Sequence, residues 1–104
     1  MEHRRDRRYA HRLRVELRVG QEIVSVQSRN LSLGGVFIEL GRALPIDTAV
    51  HLRISFDDSA EAFDASGHVR WCETQAGRVV GVGVRFDGLQ GREAMRLRSF
   101  LESQ

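Results

Sequence analysis

The chain has 104 residues, and its 16 basic residues are all arginine, set against 14 aspartates and glutamates for a formal net charge of +2. That length suits one domain with a single core, and 41% hydrophobic with 29% charged residues excludes wholesale disorder. No apolar run reaches the roughly 18 residues of a membrane span, residues 1–12 lack the apolar stretch of a signal peptide, and a lone cysteine, Cys72, excludes an internal disulfide, so a reducing, cytoplasmic setting is expected.

Charge is unevenly placed. Residues 1–18 hold seven arginines and three acidic residues, a net +4, whereas the remainder holds nine arginines and eleven acidic residues, a net −2. Residues 1–12 are therefore expected to be a flexible cationic arm ahead of a domain spanning 13–104. Such an arm calls for an anionic partner: nucleic acid, nucleotide, lipid head group or acidic protein.

From Leu13 the pattern takes a period of two. Leu13, Val15, Leu17 and Val19 alternate with arginine and glutamate, which predicts a half-buried strand. Gly20-Gln21 predicts a turn into a second strand over 22–30, where the alternation is less clean because Ile23 is followed by Val24 and Val26. Asn30-Leu31-Ser32-Leu33-Gly34-Gly35 reads as a loop, and 36–40 as a third strand. After a turn-rich stretch with Gly41, Pro45 and Asp47, Val50, Leu52, Ile54 and Phe56 mark a fourth strand. Asp57-Asp58-Ser59 predicts a turn. A fifth strand over about 61–74 puts Phe63, Ala65, Gly67, Val69 and Trp71 on one face, and Gln75-Ala76-Gly77 predicts a hairpin loop. A sixth strand over 78–87 puts Val80, Val82, Val84 and Phe86 on one face, with Gly81 and Gly83 on the other at a bulge or close backbone approach. The period then becomes helical: Ala94, Leu97 and Leu101, with Phe100 beside them, predict an amphipathic helix over 90–102. Six short antiparallel strands and one helix suit an all-β fold, a small barrel whose closure removes exposed strand edges, with an open sandwich as the alternative.

Two motifs occur together. Arg7-Arg8-Tyr9-Ala10-His11-Arg12 is an RRxxxR arrangement just before the first strand, and Asn30-Leu31-Ser32-Leu33-Gly34-Gly35 is a [D/N]xSxxG arrangement between the second and third. RxxxR alone is weak, since Arg4/Arg8 and Arg14/Arg18 also satisfy it. The pair, on these elements, is far more specific, and with it the chain resembles the PilZ domain family of cyclic di-GMP receptors. Gly67-His68-Val69-Arg70-Trp71 and Gly81-Val82-Gly83-Val84-Arg85-Phe86 resemble the family's later strands. The resemblance implies a six-stranded antiparallel PilZ-type β-barrel with a short C-terminal helix. It also implies a cyclic di-GMP site built from Arg7, Arg8, Arg12, Asn30, Ser32 and Gly35, with Arg4 and Trp71 as additional contacts. Asn30 in place of aspartate removes a charged acceptor.

The residue types suit that ligand. Arginine offers a planar fork that matches guanine O6/N7 and phosphate oxygens, and its plane stacks on a base. Asn30 and Ser32 have hydrogen-bonding groups for guanine edges or for holding their loop in shape. Gly35 suits a close approach of backbone to base or a positive φ. The arginines at 4, 5 and 7 leave room for a larger, more anionic ligand than one nucleotide. No cofactor beyond this ligand is expected. An unidentified downstream protein is the expected partner, because no output domain is visible. A monomer is the default, and exposed sheet faces leave a dimer open.

Other residues receive plainer readings. Trp71, on the face of Val69 if the strand alternates, suits a core or barrel-surface role, with base stacking as the sharper alternative. Tyr9 and His11 read as spacers in the arm. His68 and Cys72 would face the same side of a strand about 13 Å apart, too far for joint metal ligation, and no zinc-site spacing occurs. The chain has no GxSxG elbow, HExxH helix or P-loop ending, which argues against an enzyme. Two rival functions remain: a PilZ-type interaction adaptor in motility or pilus control that does not bind nucleotide, and nucleic-acid binding through the arm. The net acidic body and the lack of a recognition helix argue against the latter.

Overall fold

The computed structural model describes residues 12–56 and 61–103. Arg4, Arg7, Arg8, Tyr9, His11 and the predicted turn Asp57-Asp58-Ser59 lie outside the described residues. Six strands are followed by one helix: β1 (Arg14–Val19), β2 (Glu22–Leu31), β3 (Gly35–Glu39), β4 (Ala49–Ser55), β5 (Ala62–Gln75), β6 (Arg78–Phe86) and α1 (Gly91–Glu102). All strand pairs are antiparallel, and they close into a barrel in the order β1-β2-β3-β6-β5-β4. The barrel, rather than the open sandwich, is the architecture.

The interior is made by the apolar half of each alternating pattern. Val15, Leu17, Val36, Ile38, Leu52, Ile54, Val69, Val82 and Val84 are all fully buried. At about 1.5–3 kcal/mol per buried aliphatic side chain, this interior far outweighs the exposed ion pairs on the barrel surface. Helix α1 covers one part of the wall. It buries Leu97 and Leu101 in the same core, stacks Phe100 on Phe56 at 4.4 Å, and packs along β5. Polar ties hold it there: the Asp64 amide donates to Glu93 (2.8 Å) and Arg96 donates to the Ala62 carbonyl (2.7 Å). Ala76 and Gly77 join β5 to β6 with positive φ at both turn positions (52° and 79°), the backbone of a tight two-residue hairpin.

Strict alternation fails at three bulges. In β2 the register shifts between Ser28 and Asn30, with Arg29 the extra residue. In β5 it shifts between Val69 and Trp71, with Arg70 the extra residue. In β6 Val80 is the extra residue opposite Glu73 and Thr74, and so leaves the core face of Val82, Val84 and Phe86 on which alternation had put it. The second bulge overturns the expectation that Trp71 shares a face with Val69. Val69 is fully buried, whereas Trp71 lies on the outer wall, 40% exposed, and Cys72 turns toward the core. His68 and Cys72 are likewise separated. His68 pairs with Asp87 at 2.7 Å, whereas the Cys72 thiol donates to the Leu44 carbonyl. Among the described residues no cluster of His, Cys, Asp and Glu could hold a metal ion, and no helix is long and apolar enough to cross a membrane.

Candidate functional site

The outer wall made by β2, β3, β6 and β5 gathers the described motif residues. On β3, Val36 and Ile38 point inward, so Gly35, Phe37 and Glu39 form the outward set. Their Cα partners on β6 are Arg85, Gly83 and Gly81. Trp71 and Glu73 follow on β5, opposite Gly83 and Gly81. On β2, Gln27 pairs with Glu39 and Asn30 pairs with Phe37. The β2 bulge is what puts Asn30 there. Unbroken alternation from Ser28 would have turned Asn30 inward and Leu31 outward; instead Leu31 is fully buried.

The floor of this wall is aromatic. A methyl group at Gly81 would overlap the Phe37 ring, and one at Gly83 would overlap the Trp71 indole. The two glycines let both rings lie flat on β6. Their centroids are 6.1 Å apart with planes tilted by 31°. The Arg29 guanidinium lies over the Phe37 ring, 4.8 Å from its centroid.

Charged groups line the floor. Arg12 donates from Nη1 to Glu39 Oε1 at 3.0 Å and to Gln27 Oε1 at 3.2 Å. Arg29 approaches the other oxygen of Glu39 at 3.8 Å and reaches Glu73 at 3.5 Å. Gln75 also donates to Glu73, at 3.2 Å. Arg85 is exposed between Gly35 and His68 and forms no ion pair among the described residues. The root of the arm is fixed one residue beyond Arg12: the Leu13 amide donates to the buried Ser28 hydroxyl and the Ser28 amide donates to the Leu13 carbonyl, both at 2.9 Å.

The loop after β2 is held by Ser32. Its hydroxyl is buried, accepts from the amides of Gly34 and Gly35 at 3.2 Å each, and donates to the Gly35 carbonyl at 3.3 Å. The Ser32 amide donates to the same carbonyl at 2.9 Å. Of the two roles left open by the sequence, these bonds supply the shaping of the loop. Gly35 takes no positive φ. Its missing side chain makes room for the Val84 carbonyl of the neighbouring strand, so the close approach here is between two backbones of the barrel. Arg12, Asn30, Gly35 and Trp71 thus share one wall with Ser32 beneath its loop. Arg29, Phe37, Glu39 and Glu73 are members that the motifs do not contain.

The sequence model of the PilZ domain matches residues 2–103. The chain belongs to the PilZ family. PilZ is a cyclic di-GMP-binding family. The PilZ barrel described above is similar to the Bacillus subtilis inhibitor of motility MotI/DgrA, with a TM-score of 0.82 at 15% identity over 100% of this chain and 52% of that one. It is similar to the PilZ domain of Escherichia coli YcgR with c-di-GMP, with a TM-score of 0.78 at 14% identity over 98% and 91% of the two chains. The MrkH–c-di-GMP complex of K. pneumonia gives 0.77 at 14% identity, over 99% of this chain and 52% of that one. The chain thus spans about half the length of MotI and of MrkH (52% each). The comparison with curated proteins by sequence returned no match.

Proposed function

We propose that this chain is a cyclic di-GMP receptor whose ligand lies on the outer wall of β2, β3, β6 and β5, clamped by the arginine arm. The observation that carries the reading is convergence: Arg12 from one motif and Asn30 from the other reach the same wall, over an aromatic floor. In this reading Arg7, Arg8 and Arg12 donate to phosphate oxygens and guanine O6/N7, with Arg4 available as a further cation. Asn30 donates or accepts at a guanine edge, and Trp71 offers an exposed face for stacking. Ser32 and Gly35 act through the shape of the loop and the closeness of β3 to β6. Ordering the arm over residues 1–12 consumes on the order of 2–5 kcal/mol of the interaction energy. The ordered arm then presents a new surface to a downstream protein, which is the output of the switch. That the similar structures of the YcgR PilZ domain and of MrkH are c-di-GMP complexes supports the choice of ligand.

Titration calorimetry with cyclic di-GMP tests this directly. Wild type is expected to bind, and Arg8→Ala and Arg12→Ala each to weaken binding by about tenfold or more, the scale of a charge-assisted hydrogen bond. A folded wild type that shows no heat with on the order of tens of micromolar ligand would overturn the reading. Binding that is unchanged in both variants would keep the receptor and move its site. Stoichiometry near one nucleotide per chain would count against a stacked pair.

A further inference from the structure

The carboxylate of Glu39 engages two arginines at once. Oε1 accepts from Arg12 at 3.0 Å, and Oε2 faces Arg29 at 3.8 Å. Both arginines are at the wall assigned above to the ligand, and Arg12 is itself a motif residue. A carboxylate resembles one phosphodiester of the ligand in the features that matter to arginine: a single negative charge shared by two terminal oxygens that each accept from a guanidinium. We infer that Glu39 is a built-in competitor for the ligand's phosphate, a positioning residue that holds Arg12 on the wall when the site is empty and must be displaced when the nucleotide binds. The inference rests on the proposed cyclic di-GMP site.

The arrangement has two opposing consequences. The Glu39 side chain is partly exposed at 31%, so its ion pairs are water-screened and give way readily. It also biases the Arg12 guanidinium, itself largely exposed, toward the wall. Affinity is nevertheless lowered, because the arginine reaches the ligand only by leaving a partner of similar chemistry. Glu73 repeats the device more weakly: its nearest approach to Arg29 is 3.5 Å, and it also accepts from Gln75.

Two substitutions separate pairing from bulk charge. Glu39→Gln keeps the shape and an amide oxygen for Arg12 while removing the negative charge. Glu39→Asp keeps the charge but is shorter by one methylene, so it draws back from Arg12. Titration of wild type and both variants with cyclic di-GMP, with Glu22→Gln as a control at the separate Glu22–Arg42 pair, reads the effect. From two exposed ion pairs, about three- to tenfold tighter binding is expected for Glu39→Gln. A smaller tightening is expected for Glu39→Asp, and none for Glu22→Gln. Unchanged or weaker binding by Glu39→Gln would overturn the inference and leave the receptor reading intact. So would tightening by Glu39→Gln alone, since charge rather than pairing would then be at work. No binding by wild type would remove the receptor reading and this inference together.

Discussion

At Gly35 a side chain is excluded by backbone, and at Gly83 it is excluded by an aromatic ring. The difference sets what each substitution costs. A methyl group at Gly35 meets the Val84 carbonyl, which can move only if β3 and β6 separate. A methyl group at Gly83 meets the Trp71 indole, a half-exposed ring that can slide over the wall. Gly35→Ala is therefore expected to cost about 3 kcal/mol, the upper range for overpacking, and Gly83→Ala closer to 1 kcal/mol. Urea unfolding measures both. Trp71 is the only tryptophan, so its emission should shift to longer wavelength in Gly83→Ala. A Gly35→Ala protein as stable as wild type would remove the explanation offered for that motif glycine. At the same scale, Phe37 and Glu39 lie on the outer side of β3, alternating with Val36 and Ile38. The run Val36-Phe37-Ile38 is apolar throughout, so no alternation marked Phe37 as outward, and Glu39 alone broke the pattern. A motif written as Asn-x-Ser-x-x-Gly ends at Gly35 and passes over them.

Individual strands followed their hydrophobic periods closely, because burial on one face leaves little freedom in register. β1, β4 and the helix each matched their patterns within one or two residues, and the barrel order joins strands whose turns were readable at Gly20 and Gly77. The bulges were a different matter. An extra residue in one strand has no composition of its own, so alternation carried past Arg29 or Arg70 assigns the wrong face to everything beyond. The less regular stretch after Ile23 precedes the first bulge without locating it. The second bulge took Trp71 off the face of Val69 and left the barrel surface, of the two places open to it, as its position. Chemistry lay beyond local pattern too: the pairing of Arg12 with Glu39 joins the arm root to β3, and Ser28 ties down Leu13 from β2. Such contacts need the closed barrel. The helix, by contrast, declared its anchor through spacing, and that anchor can be tested. Leu97 is fully buried on α1, whereas Met95, two residues away, is 71% exposed. Leu97→Ala is expected to lose about 3 kcal/mol or more through the cavity it leaves, and Met95→Ala to stay within about 0.5 kcal/mol of wild type. Equal stability of the two variants, measured by thermal unfolding, would mean that α1 does not pack on the core as described.

For the molecule as a whole, the net charge of +2 conceals a division between a cationic first segment and an acidic remainder. The acidic side chains near the site are not passive, since Glu39 faces Arg12, which would meet an anion, and Glu39 and Glu73 both face Arg29 on the same wall. Binding must therefore exchange ion pairs within the protein for ion pairs with the ligand, and the net gain is smaller than the number of arginines suggests. Linkage gives this a measurable form. A ligand that binds only the folded chain at about 100 times its Kd adds about 2.7 kcal/mol of stability. For a domain of about 100 residues this corresponds to a rise in Tm on the order of 10 °C. Cyclic di-GMP is expected to produce such a rise in wild type, and cyclic di-AMP, which lacks guanine O6, a much smaller one. Arg12→Ala should unfold close to the wild-type temperature without ligand, because its pair with Glu39 is exposed and worth at most about 1 kcal/mol. At the same nucleotide concentration it should show little of the rise. Added salt should reduce the wild-type shift, since partly exposed charges are screened over about 10 Å at 0.1 M. An equal rise with both nucleotides, or in both proteins, would show that the stabilising ligand does not depend on the guanine and arginine contacts assigned to this wall.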